Sequence, residues 1–143
     1  MILFCDTSAL VKLYISEDGS DEVHQARDCV DTVAVSRLAW VEMHSALARL
    51  VRESPEMQAI QDAVKARLAE DWPSYAVVEP RQAVMEAAAE YTDAFALRAY
   101  DAVQLASAYH LQQQTGLIIL FACFDRRLNQ AARVLGLKID FAN

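Results

Sequence analysis

The sequence is poor in the residues on which disulfide-rich, zinc-binding and disordered proteins depend. Among its 143 residues there are three cysteines, three glycines and three prolines. An odd number of cysteines without a CxxC spacing argues against both a disulfide framework and a zinc site. Little Gly and Pro beside 55% hydrophobic residues is typical of a compact, helix-rich globule. We therefore expect a single domain over residues 1–143.

Long apolar runs and basic residues are also scarce. The first apolar run is interrupted by Asp6, no basic segment precedes it, and no run reaches 18 residues, so we expect no signal peptide, no membrane span and a cytoplasmic location. Thirteen Lys and Arg against twenty Asp and Glu give a net charge of −7. This balance argues against a passive polyanion-binding module, because such modules neutralise phosphates with basic side chains. An acidic chain needs bound metal cations to attract nucleic acid.

Hydrophobic periodicity predicts alternating strands and helices. Short continuous apolar runs indicate parallel strands that are buried on both faces: "ILFC" from Ile2, "TVAVS" from Thr32, "YAVVE" from Tyr75, "LIILFAC" from Leu117 and a last short "LKID" from Leu137. Helical periodicity occurs in "SRLAWVEMHSALARLVRES", from Pro55, from about Pro80, from Tyr100 to Gln114, and from Asp125 to Leu135. This alternation predicts a three-layer α/β fold.

Four acids fall where such a fold collects its chemistry, at the carboxyl ends of the strands. Asp6 and Asp125 follow the first and fourth predicted strands, Asp101 opens a helix, and Glu42 lies in the second turn of another helix. Carboxylates grouped on rigid elements are the ligands that hard divalent cations prefer. Without a cation they would repel one another and raise some of their pKa values. The set therefore predicts a metal site.

Each acid also has a structural explanation. Asp is a favoured helix N-cap, so Asp6, Asp125 and Asp101, the last with Gln104 as a capping-box partner, could simply satisfy helix N-termini. Glu42 lies at the edge of an apolar stripe, where an exposed Glu is ordinary. Three of the four acids lie at strand exits or helix starts that face the same side of the sheet, and this arrangement favours the metal site over separate structural roles.

The segments "FCDTSALVKLY", "RLAWVEMHSAL", "LRAYDAVQLASA" and "FDRRLNQAA" resemble the four acidic motifs of PIN-domain ribonucleases, in particular the VapC-type toxins of prokaryotic toxin–antitoxin pairs. The resemblance implies a parallel five-stranded sheet of order 3-2-1-4-5. It also implies that Mg²⁺ or Mn²⁺ is held by Asp6, Glu42, Asp101 and Asp125, with the Thr7 or Ser8 hydroxyl near the first acid. Cys123 stands where Ser or Thr is frequent, and Gln104 stands where His is common.

This resemblance implies a metal-dependent endoribonuclease that hydrolyses RNA as the toxin of a toxin–antitoxin pair. The helix pair from Arg37 to about Trp72 would contribute to a homodimer and receive a segment of the antitoxin, which commonly offers an Arg to the acids. A basic cluster beside the fourth acid either holds flanking RNA phosphates or is a solvated helix face: Arg126, Arg127, Arg133 and Lys138.

Other functions remain open at this point. A receiver-type signalling domain needs an adjacent pair of acids after the first strand, and a phosphatase of the haloacid dehalogenase type needs DxD, whereas this chain has a single acid in "FCDTS". A PIN-fold nuclease that is not a toxin and a catalytically silent interaction module of the same fold are harder to separate from the toxin. Metal-dependent activity would distinguish the silent module from the nucleases.

Overall fold

The computed structural model describes residues 1–141 and contains one sheet of four parallel strands. The strands are β1 (Ile2–Cys5), β2 (Thr32–Ser36), β3 (Ala76–Val78) and β4 (Ile119–Ala122). Their order is β3-β2-β1-β4, so β1 pairs directly with both β2 and β4. The predicted adjacency of the first and fourth strands is therefore confirmed.

Within residues 1–141, seven α-helices connect and cover the strands. They are α1 (Thr7–Tyr14), α2 (Ser20–Asp28), α3 (Leu38–Glu53), α4 (Gln58–Asp71), α5 (Gln82–Ala94), α6 (Ala99–Thr115) and α7 (Arg126–Val134). Short 3₁₀ turns at Pro55–Met57 and Trp72–Ser74 flank α4. The helix predicted from Pro55 thus begins with a 3₁₀ turn. Proline is tolerated in this first turn because an amide hydrogen there would have no acceptor within the helix.

Side chains of alternate strand residues enter two separate cores, one on each face of the sheet. Phe4 packs on one face, where its ring stacks on Phe121 at 5.8 Å between centroids, with residues of α5, α6 and α7. Leu3 and Cys5 pack on the other face with residues of α1 to α4. The predicted three-layer α/β architecture is confirmed, and β1 at its centre is buried along its whole length.

The predicted fifth strand is wrong. The segment that begins at Leu137 forms one isolated parallel bridge, between Leu120 and Lys138, on the outer edge of β4. Only Lys138 makes the paired backbone hydrogen bonds, to Ile119 O and from Phe121 N, each 2.9 Å long. Gly136 turns the chain with a φ of 81° immediately before this segment, so the segment enters the sheet edge from a tight turn.

Exposure is another difference from the prediction. The strand β3 lies at the sheet edge, and Ala76 and Val77 are only half-buried, although we predicted a strand buried on both faces. No helix within residues 1–141 is both long and apolar enough to cross a bilayer. The last two residues of the predicted 1–143 domain lie outside the described part of the chain.

Candidate active site

Asp6 leaves the central strand and begins the first helix. Its backbone N–H donates to Ala122 O of β4 at 3.1 Å, so the sheet continues up to this residue. Its side-chain Oδ1 accepts hydrogen bonds from Ala9 N at 2.8 Å and Ser8 Oγ at 2.7 Å, which makes Asp6 the N-cap of α1. The capping explanation is thus confirmed for Asp6, and the Ser8 hydroxyl is the one beside it.

The Asp6 carboxyl is 6% exposed, and its protonation reflects this burial. Burial raises its pKa from 3.8 to about 6, and the negative charge of Asp101 contributes in the same direction. The hydrogen bonds from Ala9, Ser8 and the Cys123 thiol oppose the rise but do not cancel it. A buried carboxylate in this state would gain free energy from a nearby cation.

Asp125 follows β4 and begins the last helix. Its Oδ1 accepts a hydrogen bond from Leu128 N at 2.8 Å, so it is the N-cap of α7, as the structural alternative predicts. Cys123 contacts both acids, because its sulfur accepts a hydrogen bond from Asp125 N at 3.2 Å and its thiol interacts with the Asp6 carboxylate. Cysteine at this position therefore still links the first acid to the fourth.

Asp101 is not a helix cap, so the predicted capping box with Gln104 is wrong. The helix α6 begins at Ala99 after Arg98, which places Asp101 in the first turn, and no side chain caps this end. Burial raises the pKa of Asp101, the charge of Asp125 raises it further, and Arg98 opposes both. The acids at positions 6, 101 and 125 are therefore near enough to influence one another.

Glu42 is held by two side chains from other elements. Its Oε1 accepts hydrogen bonds from Thr7 Oγ1 at 2.9 Å and from Gln104 Nε2 at 3.0 Å. Gln104 Nε2 also lies 3.1 Å from Thr7 Oγ1. Glu42 is therefore fixed in a network between α1, α3 and α6 rather than being a freely solvated residue of the helix surface. Sequence reasoning missed this role of Gln104.

All four predicted acids line one pocket of about 250 Å³ at the carboxyl ends of β1 and β4. The complete lining is Asp6, Thr7, Ser8, Glu42, Asp101, Gln104 and Asp125, without a Lys or Arg side chain. Among the described residues, no three His, Cys, Asp or Glu side chains are arranged as a ready-made metal site. The structure thus brings the acids to one pocket but does not converge them on one point.

Comparison with known proteins identifies the family. The family model of the PIN domain matches residues 3–134. Ribonuclease VapC45 of Mycobacterium tuberculosis is 33% identical over 138 residues, which cover 96% of this chain and 94% of that protein. This chain belongs to the PIN-domain family, in its VapC group. The resemblance in the four acidic motifs is confirmed, and membership favours a nuclease over the receiver and phosphatase alternatives.

Solved structures show the same PIN fold at low sequence identity. FitAcB from Neisseria gonorrhoeae matches with a TM-score of 0.69 at 17% identity, covering 99% of this chain and 97% of that chain. VapC20 of Mycobacterium tuberculosis, described as a toxin that cleaves the sarcin-ricin loop, matches with a TM-score of 0.64 at 18% identity, covering 90% and 94%. These likenesses support the four-stranded core described above.

The predicted basic cluster of this PIN domain is divided in the structure. Arg126 and Arg127 line a second cavity of about 610 Å³, together with Arg98. Asp101 and Asp125 line both this cavity and the acid pocket, so the two are adjacent. The other two members do not line it: Lys138 instead pairs with Asp140 at 3.4 Å, and Arg133 is exposed in the last turn of α7.

An apolar groove adjoins the acid pocket of the PIN domain on its other side. It encloses about 600 Å³ between α1 and α3, and Thr7 and Glu42 belong to both its lining and that of the acid pocket. Its apolar lining consists of Val11, Ile15, Val41, Ala46, Leu47, Leu50 and Tyr100, and the polar residues Glu17, Ser45, Arg49 and Glu53 line it as well. The acid pocket is therefore flanked by a basic cavity on one side and by an apolar groove on the other.

Proposed function

We propose that this PIN domain is a metal-dependent endoribonuclease that acts as the toxin of a toxin–antitoxin pair. The observation that carries the proposal is the pocket lined by four acids and by no basic side chain. The raised pKa values of Asp6 and Asp101 support it, because burial and the neighbouring acids raise them by more than the hydrogen bonds to Asp6 and the charge of Arg98 lower them. The name of Ribonuclease VapC45 and the description of VapC20 support RNA as the substrate.

The chemistry of the pocket fits a hard divalent cation, Mg²⁺ or Mn²⁺. Its donors are carboxylate, hydroxyl and amide oxygens, and the ligands in this proposal are Asp6, Glu42, Asp101 and Asp125. The lack of a ready-made three-residue cluster agrees with the coordination of Mg²⁺, which usually keeps several waters and takes only one or two carboxylates directly. A cation bound there supplies Lewis acidity, which makes water a stronger nucleophile and stabilises charge on the phosphate.

In this proposal, different residues of the chain bind the cation and the RNA phosphates. Hydrogen bonds from residues 1–141 reach only Oε1 of Glu42 and only Oδ1 of Asp125, which leaves the second oxygen of each for a ligand. Arg98, Arg126 and Arg127 in the adjacent cavity are placed to hold phosphates that flank the cleaved bond. In this arrangement the acids would hold the cation, and none of them needs to act as a covalent nucleophile.

The apolar groove is the surface that we propose for the antitoxin. It leads to the acid pocket through Thr7 and Glu42, so a segment bound in the groove could extend an Arg to the carboxylates. Apolar side chains would fill the groove, and the charge pair would block the site. An antitoxin bound in this way would compete with both the cation and the RNA for the acid pocket.

A homodimer stays a prediction, and one apolar cavity offers a surface for it. Leu38, Trp40, Val41 and Trp72 line about 560 Å³ with Arg37 at the same surface, within the helix pair predicted to form the interface. Light scattering should give twice the 15.9 kDa mass of one chain. A monomer at high concentration would contradict this prediction.

Removal of divalent metal should abolish RNA cleavage. The pocket offers no Lys, Arg or His that could replace a cation as the electrophile. We expect purified protein to cleave single-stranded or loop RNA in Mg²⁺ or Mn²⁺, to stop in excess EDTA, and to resume when Mg²⁺ exceeds the chelator. Undiminished cleavage in excess EDTA would contradict the metal mechanism. A protein inactive under every metal condition would favour the silent interaction module.

A further inference from the structure

Gln104 is a buried polar side chain whose orientation is fixed by the acid pocket. It lies on α6, is 2% exposed, and its Nε2 reaches both Glu42 Oε1 and Thr7 Oγ1. The Glu42 carboxylate oxygen can only accept hydrogen bonds, so the amide must present its NH₂ group there. The opposite orientation would place the amide oxygen against the carboxylate, which is repulsive.

This orientation leaves the other end of the amide without a partner. Gln104 Oε1 is buried, and no donor among residues 1–141 bonds it. A buried carbonyl without a hydrogen bond destabilises a protein by about 1–3 kcal/mol. An apolar residue at this position would avoid that penalty. The fold alone therefore gives no reason for glutamine here, whereas contact with Glu42 does.

We propose that Gln104 is a positioning residue that holds Glu42 for cation binding. This inference rests on the proposed function of the acid pocket. With Thr7 and Gln104 both bonded to Oε1, the Glu42 carboxylate keeps one orientation, and Oε2 receives no hydrogen bond from the described residues. The unpartnered Gln104 Oε1, at a residue that lines the same pocket, is an acceptor for a ligand or water that enters with the cation.

The test replaces the amide with an apolar side chain of similar size. In Gln104→Met, the metal-free protein should melt at about the same temperature as the parent, because an unsatisfied carbonyl is removed while the hydrogen bonds to Glu42 and Thr7 are lost. The Mn²⁺ concentration for half-maximal thermal stabilisation should rise by about tenfold or more, the usual effect of losing a residue that orients a ligand. The kcat for RNA cleavage should fall by about as much, with KM unchanged.

Two further variants make the result specific. Gln104→His supplies a ring N–H that can bond Glu42, so its Mn²⁺ midpoint and kcat should stay within about threefold of the parent. Gln61→Met is the matched control, because Gln61 is another buried helical glutamine, bonded to Gln58 on α4 and absent from the pocket lining. It should leave the Mn²⁺ midpoint unchanged.

Each outcome supports or overturns the inference. A Gln104→Met protein with the parent's Mn²⁺ midpoint would overturn it. So would a lower metal-free melting temperature that Gln104→His does not restore, since that pattern belongs to a packing role. A parent protein that neither cleaves RNA nor responds to Mn²⁺ would reject the proposed function itself. The cleavage assay and the Mn²⁺ titration of the parent protein alone give that result. A failure of the proposed function can therefore be distinguished from a failure of the Gln104 assignment.

Discussion

Asp6→Asn should lose RNA cleavage and gain metal-free stability. Asn caps a helix about as well as Asp, so the bonds from Ser8 Oγ and Ala9 N can be kept while the charge is removed. Loss of a ligand from a site that contributes several kcal/mol to transition-state stabilisation should reduce kcat/KM by about a hundredfold or more. If Asp6 only capped the helix, the variant would keep full cleavage, because the gain in metal-free stability follows from burial of the charge and not from metal binding.

The gain in stability should depend on pH. An acid whose pKa is raised in the folded state destabilises the fold when it ionises, and for Asp6 the rise from 3.8 to about 6 corresponds to on the order of 3 kcal/mol. The penalty is absent below pH 4, grows between about pH 4 and pH 6, and is complete above pH 6. The parent should therefore lose stability relative to Asp6→Asn as the pH rises through this window.

Denaturant unfolding of both proteins from pH 3.5 to 7.5 in EDTA measures this difference, and Mg²⁺ added at pH 7.5 should stabilise the parent far more than the variant. Asp31→Asn is the control. Asp31 is exposed and precedes β2, at the opposite end of the parallel strands from the acid pocket. Full metal-dependent cleavage by Asp6→Asn would show that Asp6 is only a cap, and the assignment of this ligand would fail.

Expression of the chain in growing bacteria should arrest growth almost completely. The reason is catalytic, since a ribonuclease turns over many RNA molecules, and Asp6→Asn and Asp101→Asn should therefore grow normally at equal expression. Co-expression of the antitoxin, a small protein encoded beside the toxin, should restore growth by filling the apolar groove.

The groove can be tested separately from the chemistry. Leu50→Glu places a charge on the half-buried lining of the groove, two helical turns from Glu42, so this variant should still arrest growth but escape relief by the antitoxin. A chain that is harmless at high expression while it cleaves RNA in vitro would favour a PIN-fold nuclease that is not a toxin.

The local sequence predicted the central strands and the four acids because these signals are strong and short-range. The continuous apolar run that ends at Asp6 predicts both a buried strand and its exit. In contrast, α2 was not predicted: it is largely polar, and only Ser20 and Val23 are buried, so it has no apolar stripe. Its position follows from contacts with α1, which the local sequence does not specify.

Gln104 shows how a local signal can mislead. Its spacing of three from Asp101 fits a capping box, but the helix begins two residues before Asp101, and Gln104 faces Thr7 and Glu42 instead. These partners are 97 and 62 residues away along the chain. Similarly, the composition of the segment from Leu137 fits a strand, but among the described residues it makes only one bridge to β4.

The N-termini of the helices at the acid pocket also contribute to its electric field. The helices α1 and α7 begin directly after Asp6 and Asp125, and Asp101 lies in the first turn of α6. The aligned peptide dipoles of a helix place about half a positive charge at its N-terminus. Three such ends meet three carboxylates here, so backbone dipoles partly offset the repulsion between the side chains. If the proposed cation neutralised the carboxylates, the same backbone ends would favour an approaching phosphate.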